Sequence, residues 1–387
     1  MRVAYISYSK IPSREANSVH VMKMCQAYTR EGYDTTLYAP CPKEGPLDPD
    51  TLWRRYGISE PFSIEYVLVR HYPLTMLKDH GYAMETAFRC RKSGAALVHT
   101  RHLYSAMWTS LLGIPTVYEV HYPVLGGRLG ALYYRTLLKG RGFRKLAVIT
   151  HALKRLFPKG PLDDGDVIVA PDGIDLERFE HLPGPEAARE TIGIKKDAFT
   201  VGYAGHLYAG RGVELIFSLA ETLPDVTFIV AGGREEDIER VRGEAAAGGL
   251  SNIVLTGFVD NSDLPLYLAA CEVLLMPYQR KVATINPLDD TSAFMSPMKM
   301  FEYMATGRLI ISSDLPVLRE ILNGDNAVLC PPEDPEAWRA AVEKAAADRD
   351  WRESLASRAL SDVKEYTWQK RVRRIINAAL PQHPLLN

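Results

Sequence analysis

The sequence lacks long apolar runs, closely spaced cysteines and a dinucleotide-binding fingerprint. No stretch of about 18 apolar residues, the length that a helix needs to cross a bilayer, occurs among the 387 residues. The five cysteines are far apart, so they predict neither a zinc site nor a redox pair, and their odd number argues against a full set of disulfides. The pattern GxGxxG is missing after the first predicted strand, which argues against a nicotinamide-dependent dehydrogenase.

The beginning of the sequence also lacks the features of a signal peptide. Its first residues, MRVAYISYSK, run directly into a predicted strand rather than into a basic and then apolar leader. Together with the isolated cysteines, this start predicts a protein of the reducing cytoplasm. Any contact with a membrane is then expected to be peripheral, on the cytoplasmic face.

Acidic residues are unevenly distributed along the chain. The net charge is −1, yet residues 1–162 hold 23 Lys and Arg against 11 Asp and Glu, whereas the rest holds 23 against 36. Opposite charges on the two halves predict two domains that meet different partners. Residues 120–162 contain no acidic side chain at all.

This acid-free segment interleaves basic and apolar residues at near-helical spacing, which is typical of a helix that lies on an anionic membrane surface. A second interpretation is that the apolar residues are core, and that the charges form a solvated face or bind an anionic soluble acceptor. The residues concerned are basic Arg128, Arg135, Lys139, Arg141, Arg144, Lys145, Lys154, Arg155 and Lys159, and apolar Leu129, Leu132, Tyr133, Tyr134, Leu137, Leu138, Leu153, Leu156 and Phe157.

Short apolar runs alternate with helical patterns along the whole chain. Seven predicted strands lie between residues 2 and 170, six more lie between 200 and 330, and a segment rich in Pro, Gly and charge separates the two series. This alternation predicts two doubly wound parallel sheets, with ligands bound in a cleft at the carboxyl ends of their strands. We predict an N-terminal domain over 1–175, a C-terminal domain over 176–365, and a last helix within 366–387 that could pack back on the first domain.

The segment SPMKMFEYMATG, residues 296–307, predicts a helix start suited to a phosphate. Ser296 is a good N-cap residue and Pro297 suits the first helical position. The backbone amides of Met298 and Lys299 then lie at the positive end of the helix, where an anion is favoured. Glu302, one turn further on, could accept hydrogen bonds from two ribose hydroxyls. The alternative is a capped helix whose glutamate faces water.

A glycine-rich turn, GHLYAGRG at residues 205–212, follows a predicted strand and precedes a helix. Glycines such as Gly205 let a ligand approach the backbone closely. Arg211 could clamp a diphosphate with two hydrogen bonds. His206 is the other candidate donor-binding residue of the turn. A glycine-rich turn alone remains a weak signal.

Two further segments follow predicted strands of the first domain. His121, in VYEVHYP, comes directly after a strand, although a lone histidine in such a place is more often structural. A polar loop after the first strand is either a helix cap or a substrate-binding loop. Its candidate residues are Ser13, Arg14, Asn17 and Ser18.

The order of these segments resembles the retaining nucleotide-sugar glycosyltransferases of family four, which have the GT-B fold, over nearly the whole chain. The run SPMKMFEYMATGRLIISSDLPVLREIL is the most specific match, supported by VAPDGID, GYAGHLYAGRGVEL and TGFVDNSDLPLYLAACEVLLMPY. In that family the counterpart of Glu302 binds the donor ribose, that of Arg211 binds the diphosphate, and that of His121 lies beside the transferred sugar. The loop after the first strand helps to form the acceptor and phosphate region, which makes Ser13, Arg14, Asn17 and Ser18 candidate acceptor-binding residues. The resemblance thus implies that residues 1–175 bind the acceptor and residues 176–365 bind the nucleotide-sugar.

The resemblance implies retaining transfer of a sugar from a nucleotide-diphosphate sugar, with a UDP-sugar as the default, to a hydroxyl acceptor. A lipid-linked or cell-surface glycan is one candidate acceptor, and an anionic membrane surface is a candidate partner. No metal, no cofactor and no nucleic acid are expected, because arginine and a helix N-terminus can neutralise a diphosphate in place of a metal.

Two departures from the family pattern keep alternatives open. The family has a glutamate eight positions before the counterpart of Glu302, where this chain has Phe294. The family also often has an arginine at the position that His206 occupies here. Asp289 and Asp290 are nearby candidates for holding the sugar hydroxyls. The alternatives to a transferase are a nucleotide-sugar epimerase of the same fold and a non-catalytic glycan-binding partner subunit.

Overall fold

The structure is a computed structural model that describes residues 1–69, 75–123, 127–157, 162–284, 286 and 288–381. The chain divides into two compact units. The first consists of Met1–Asp172 and the segment from Trp368 onward, and the second is Gly173–Thr367. The chain therefore leaves the first unit once and returns to it once, at points beside the predicted boundaries of 175 and 365.

Thirteen strands in the described residues form two sheets, and every strand pair is parallel. The first sheet has the order β3-β2-β1-β4-β5-β6-β7 and the second the order β10-β9-β8-β11-β12-β13. The strands are β1 Arg2–Ile6, β2 Asp34–Pro40, β3 Ser63–Val67, β4 Leu97–Thr100, β5 Thr116–Val120, β6 Phe143–Val148, β7 Val167–Val169, β8 Phe199–Ala204, β9 Val226–Ala231, β10 Ile253–Gly257, β11 Val273–Met276, β12 Leu309–Ser313 and β13 Val328–Cys330.

Helices connect most of the strands. None of those in the described residues is long and apolar enough to cross a bilayer. The helices are α1 Ala16–Arg30, α2 Pro49–Tyr56, α3 Thr75–Lys92, α4 Leu103–Leu111, α5 Gly127–Lys139, α6 His151–Leu156, α7 Pro185–Thr191, α8 Val213–Thr222, α9 Glu235–Ala247, α10 Leu264–Ala269, α11 Met298–Ala305, α12 Pro335–Ala347, α13 Arg349–Asp362 and α14 Trp368–Ala379.

The central strands read as continuous apolar runs because both of their faces are buried. All residues of β4, β5, β11 and β12 are buried, as is usual for parallel sheets covered on both sides. In each sheet the strand order reverses at one place, between β1 and β4 in the first and between β8 and β11 in the second. Ligands of doubly wound sheets bind at the carboxyl ends of the strands beside such a reversal.

Helix α14 completes the core of the first unit by packing on α1. It buries one face, which includes Trp368, Arg371 and Ile375. As a result α1 is buried continuously from Val21 to Tyr28. The arginine on this buried face requires polar partners inside the first unit, since an unpaired buried charge is very costly.

The acid-free segment is divided among α5, β6 and α6, and its apolar residues split into two groups. Tyr134, Leu137 and Leu153 are core, whereas Leu129, Leu132 and Leu156 are exposed. Arg144 and Lys145 lie on β6, and Lys159 lies outside the described residues. The outer face of α5 therefore exposes Arg128, Leu129, Leu132, Arg135 and Lys139, and α6 exposes Arg155 and Leu156.

Candidate active site

The candidate donor residues of the second unit follow the two strands at its topological reversal. Gly205 and His206 come directly after β8, and Tyr278 comes two residues after β11. Helix α11 begins at Met298 and is tied to β8, because the Tyr303 hydroxyl accepts a hydrogen bond from the Ala204 amide at 2.7 Å. The glycine-rich turn and the start of α11 are thereby held at the same edge of the sheet.

Lys299 places a buried ammonium group at this edge. Its Nζ lies 3.9 Å from the centroid of the Tyr203 ring and 5.3 Å from that of Tyr278, and in the described part of the chain it has no hydrogen-bond acceptor. Gly205, with φ of 143°, leaves the room for it, since a Cβ there would lie 2.8 Å from Nζ. Burial, with a further contribution from Arg211, lowers the pKa of Lys299 well below its usual value.

A second cation, Arg211, lies close to this ammonium. Its guanidinium carbon is 5.3 Å from the centroid of the Tyr278 ring, and its Nη2 donates to the Ala283 carbonyl at 3.2 Å. Gly212 follows with φ of 84° and precedes α8, and a Cβ there would collide with the Pro277 carbonyl oxygen. Two basic side chains and a helix N-terminus thus lie at one sheet edge, and both features favour an anion.

The start of α11 differs from its predicted form. Pro297 occupies the N-cap position and Met298 is the first helical residue, so the prediction that Ser296 caps the helix is wrong. The amides of Met298 and Lys299 do lie in the first turn, as predicted. The side chain of Pro297 has no polar atom and makes no capping hydrogen bond, so the amides of the first turn keep the partial positive charge that favours an anion.

Glu302 lies near an arginine that sequence reasoning missed. Burial lowers the pKa of Arg178, while the carboxylates of Glu302 and Asp175 act in the opposite direction. Arg178 also donates to the Asn261 carbonyl. It ends a short 3₁₀ turn that directly follows the VAPDGID segment, and this proximity in sequence was the one signal that could have found it.

The residues proposed to compensate for the missing first glutamate are engaged in their own loop. Asp290 accepts hydrogen bonds through Oδ1 from the amides of Val282 and Ser292, both at 3.0 Å. Asp289 accepts from the side chains of Thr284 and Asn286 at 2.5 and 2.9 Å. Phe294 is buried. Both carboxylates thus shape the loop that precedes α11.

His206 contributes its ring to an aromatic pair. The rings of His206 and Tyr208 are stacked, with centroids 4.7 Å apart and planes 7° apart. The guanidinium of Arg234 lies 5.2 Å from the centroid of the Tyr208 ring. The turn after β8 therefore presents a flat aromatic surface with a cation beside it.

In the first unit, His121 directly follows β5 and contacts the carboxylate of that strand. Its Nε2 lies 2.5 Å from Oε1 of Glu119. Burial, followed by the charge of Arg101, lowers the pKa of His121 to about 4, against the opposing effect of Glu119. His121 is consequently a neutral imidazole near pH 7.

Glu119 is the centre of a buried ionic network. Besides His121, its Oε1 lies 2.8 Å from Nε2 of His20, and its Oε2 lies 2.8 Å from Nε2 of His99 and 3.0 Å from Nη2 of Arg371. Burial by itself would raise the pKa of Glu119, but Arg371 and the histidines hold it well below its usual value. The carboxylate therefore remains ionised in the core.

The network extends from Glu119 to Asp172. Nδ1 of His20 lies 3.0 Å from Oδ1 of Asp172, so both nitrogens of this imidazole face carboxylates. Nε of Arg371 donates to the carbonyls of Ala170 and Pro171 at 3.2 and 3.0 Å. Sequence reasoning missed every member except His121, although a glutamate inside the apolar strand TVYEV is a signal that buried partners exist.

Three members of the network offer atoms that could bind a metal ion. His20, His121 and Asp172 each have a ligand atom within 4.8 Å of the others. Both nitrogens of His20 already face carboxylates, however, and the guanidinium of Arg371 supplies positive charge beside them. This donor set is a closed ion network, and we assign no metal to it.

The loop between β1 and α1 is held by Tyr56. Its hydroxyl accepts from the Ser13 amide at 2.8 Å and donates to the Ser18 hydroxyl at 3.0 Å. Ser18 is completely buried, whereas Arg14 and Asn17 are exposed. Of the four predicted acceptor-binding residues, Ser13 and Ser18 thus maintain the loop, and Arg14 and Asn17 reach its surface.

Fold and site together define an α/β protein of the GT-B class, and comparison with known families agrees. Residues 18–178 match the family described as Glycosyltransferase Family 4, and residues 198–348 match Glycosyl transferases group 1. One match lies almost entirely in each unit. The chain belongs to the group 1, family four glycosyltransferases.

Individual relatives are distant. The 2-deoxystreptamine glucosyltransferase of Streptomyces kanamyceticus is 31% identical over 28% of this chain and 30% of that protein. The phosphatidyl-myo-inositol mannosyltransferase of Mycolicibacterium smegmatis is 24% identical over 52% of this chain and 49% of that protein. The matched part thus spans at most about half of these curated relatives. HepE of Anabaena, solved with UDP and glucose, has a TM-score of 0.75 at 14% identity, covering 97% of this chain and 99% of that one.

Proposed function

We propose that the protein transfers a sugar from a nucleotide-diphosphate sugar to a hydroxyl acceptor, with retention of anomeric configuration. The observation that carries this proposal is the buried Lys299 ammonium, which has no hydrogen-bond acceptor in the described residues and lies next to Arg211. A buried cation is costly unless it is paired. A diphosphate at the start of α11 would pair with both cations.

The proposed roles follow from this arrangement. Lys299, Arg211 and the first amides of α11 stabilise the charge that develops on the leaving nucleoside diphosphate, which is the main electrostatic demand of the transfer. Glu302 binds the ribose hydroxyls. His121 contacts the transferred sugar as a neutral imidazole. The acceptor hydroxyl attacks from the face that the diphosphate leaves, and so the anomeric configuration is retained.

UDP is the nucleotide that we propose for the donor. HepE, which has a similar fold, was solved with UDP and glucose, and this supports the choice. Binding of UDP, GDP, ADP and their glucose or mannose derivatives can be compared by thermal shift, because a ligand at 100 times its dissociation constant adds about 2.7 kcal/mol of stability. No shift with any of these nucleotides would refute the donor site.

The activity is tested by product analysis with the nucleotide-sugar that binds best. Retaining transfer predicts a glycoside with the anomeric configuration of the donor, whereas a nucleotide-sugar of changed configuration would identify an epimerase. Arg211→Ala should weaken donor binding by about 10–150-fold, the loss of one charge-assisted contact worth about 1.5–3 kcal/mol. Arg242→Ala, at an exposed arginine of α9, is the matched control and should bind normally.

We further propose that the acceptor is lipid-linked and that the first unit docks on an anionic membrane surface. The outer face of α5 exposes Arg128, Arg135 and Lys139 together with Leu129 and Leu132. Each basic residue near an anionic surface adds about 1 kcal/mol, and the two exposed leucines add apolar contact. A curated relative is named as a phosphatidyl-myo-inositol mannosyltransferase, which supports a lipid acceptor.

Co-sedimentation with vesicles tests the docking. Binding to vesicles that contain phosphatidylglycerol should exceed binding to pure phosphatidylcholine, and it should fall at high salt. Reversal of Arg128, Arg135 and Lys139 to Glu should abolish binding. Reversal of three exposed basic residues elsewhere in the same unit, Arg54, Arg91 and Lys92, should matter little. Equal loss in both triple variants would show a general charge effect and contradict docking through α5.

A further inference from the structure

We propose that Glu119 is a positioning residue that fixes the tautomer and orientation of His121, and that Arg371 of the C-terminal helix holds Glu119 in place for this task. The proposal rests on the proposed contact between His121 and the transferred sugar. It assigns the sugar-facing role to Nδ1 of His121, as a hydrogen-bond acceptor for a hydroxyl of the sugar.

Nitrogen atoms surround the Glu119 carboxylate. Nε2 of His20, His99 and His121 and Nη2 of Arg371 lie 2.5–3.0 Å from its oxygens. The contact between Oε1 and Nε2 of His121 is a hydrogen bond, and Arg371 and the histidines hold the pKa of Glu119 well below its usual value. An ionised carboxylate cannot donate, so Nε2 of His121 carries the proton.

His20 and Arg371 restrict the position of the Glu119 carboxylate. The two nitrogens of His20 lie 2.8 Å from Glu119 and 3.0 Å from Asp172, and Nη2 of Arg371 lies 3.0 Å from Glu119. The carboxylate that contacts His121 is therefore held between an imidazole and a guanidinium group.

His99 is a neighbour with which His121 can be compared. Its Nε2 lies 2.8 Å from Oε2 of Glu119, and its Nδ1 lies 2.9 Å from the Tyr28 hydroxyl. A hydroxyl group is thus already placed at the second nitrogen of this imidazole. His121 has the same Nε2 contact, but its side chain is 14% exposed whereas that of His99 is fully buried. A hydroxyl of the bound sugar can thus take the position at His121 that Tyr28 takes at His99.

The pKa values agree with this arrangement. Burial lowers the pKa of His121 to about 4, and the charges of Arg101 and His20 act in the same direction, while Glu119 opposes them. Burial likewise lowers the pKa of His99. Both imidazoles are neutral near pH 7, so each presents one donor and one acceptor nitrogen.

The wild-type protein provides the first test. With histidine labelled by ¹⁵N, two-bond couplings to the ring carbon protons distinguish a protonated nitrogen from a bare one, and a His121→Asn variant identifies the signals of His121. We expect a protonated Nε2 and a bare Nδ1 at pH 7. A protonated Nδ1, or a charged ring, would overturn the proposal without any need for a transfer assay or a further variant.

Substitution of Glu119 provides the second test. Glu119→Gln keeps the shape of the side chain, but its amide group can donate and so no longer imposes a proton on Nε2 of His121. We expect a mixture of tautomers and a fall in kcat of up to about 100-fold, the scale of a misplaced contact group. Binding of free UDP should be unchanged. A wild-type tautomer and a wild-type kcat in this variant would overturn the proposal.

A double variant separates positioning from folding. In Glu119→Gln/Arg371→Gln both charges are removed together, so neither of the two is left buried without the other. If the network were only structural, this variant would recover kcat as its melting temperature recovers. We expect the melting temperature to recover relative to Glu119→Gln while kcat remains low, and recovery of both would refute the positioning role. Absence of transfer in the wild type would instead refute the proposed function, and the tautomer measurement would still stand.

Discussion

Replacement of Lys299 by methionine should change stability and ligand binding in opposite directions. The ammonium is buried without a hydrogen-bond acceptor in the described residues. An apolar side chain of similar volume at a buried charged position is often favourable by about 1–4 kcal/mol. The lost interaction with the Tyr203 ring, 3.9 Å away, offsets about 2 kcal/mol of this gain. A net gain of up to about 2 kcal/mol is expected for the ligand-free protein.

This gain is measurable by calorimetry. For a unit of roughly 150–250 residues, 1 kcal/mol shifts the melting temperature by about 2–4 °C, so the transition of the second unit should rise by up to about 8 °C in Lys299→Met. Titration calorimetry should meanwhile show UDP binding that is weaker by about 10–150-fold, the loss of a charge-assisted contact. A lower melting temperature with unchanged UDP affinity would refute the reasoning.

The pH dependence gives an independent check on the same residue. Burial lowers the pKa of Lys299 in the folded protein, whereas the unfolded chain keeps the ordinary value of about 10.4. The unfolded state binds more protons between these two pKa values, so stability should rise with pH in that window. The slope should be absent in Lys299→Met. A bound diphosphate favours the charged form of Lys299, so the lysine should take up a proton when UDP binds. Titration calorimetry in buffers of different ionisation enthalpy detects this proton uptake.

Three other predictions concern single residues. His121→Ala should lower kcat more than it lowers affinity for free UDP, since UDP carries no sugar to contact; an equal loss of both would contradict the assignment. The pKa of His121 is about 4 in the folded protein and about 6.5 in the unfolded chain. The unfolded state therefore binds more protons in between, and the protein should lose about 3 kcal/mol of stability as the pH falls from 6.5 to 4. Urea denaturation should show a smaller loss for His121→Asn. Gly205→Ala should impair UDP binding because the new Cβ would lie 2.8 Å from Lys299 Nζ, and normal UDP affinity would show that the lysine can move aside.

The sheets were predictable because their strands are chemically simple. Each of the thirteen strands was expected from a short apolar run, and each was found within a few residues of its expected position. Strands buried on both faces leave such runs in the sequence. The turn at Gly205 and the start of α11 were also predictable, since glycine and proline mark them.

The ionic network was beyond sequence reasoning because its members are far apart in the chain. His20, His99, Glu119, Asp172 and Arg371 lie on five separate segments, and no spacing rule joins them. Each could have been a solvated surface residue. Only the packing of α14 on α1 shows that Arg371 faces the core. The side chain of Lys299 was missed for a similar reason, since a lysine at a helix start is usually exposed.

The return of the chain to the first unit has a consequence for the order of folding during synthesis. A ribosome completes β1 to β7 long before Trp368 emerges, and domains generally fold as units in the order of synthesis. Until α14 arrives, the nascent first unit has a bare apolar face on α1 and a Glu119 carboxylate that lacks its guanidinium. The second unit, continuous from Gly173 to Thr367, can complete its core first. A fragment that ends at residue 172 should therefore aggregate when expressed alone, and co-expression with a peptide of α14 should rescue it.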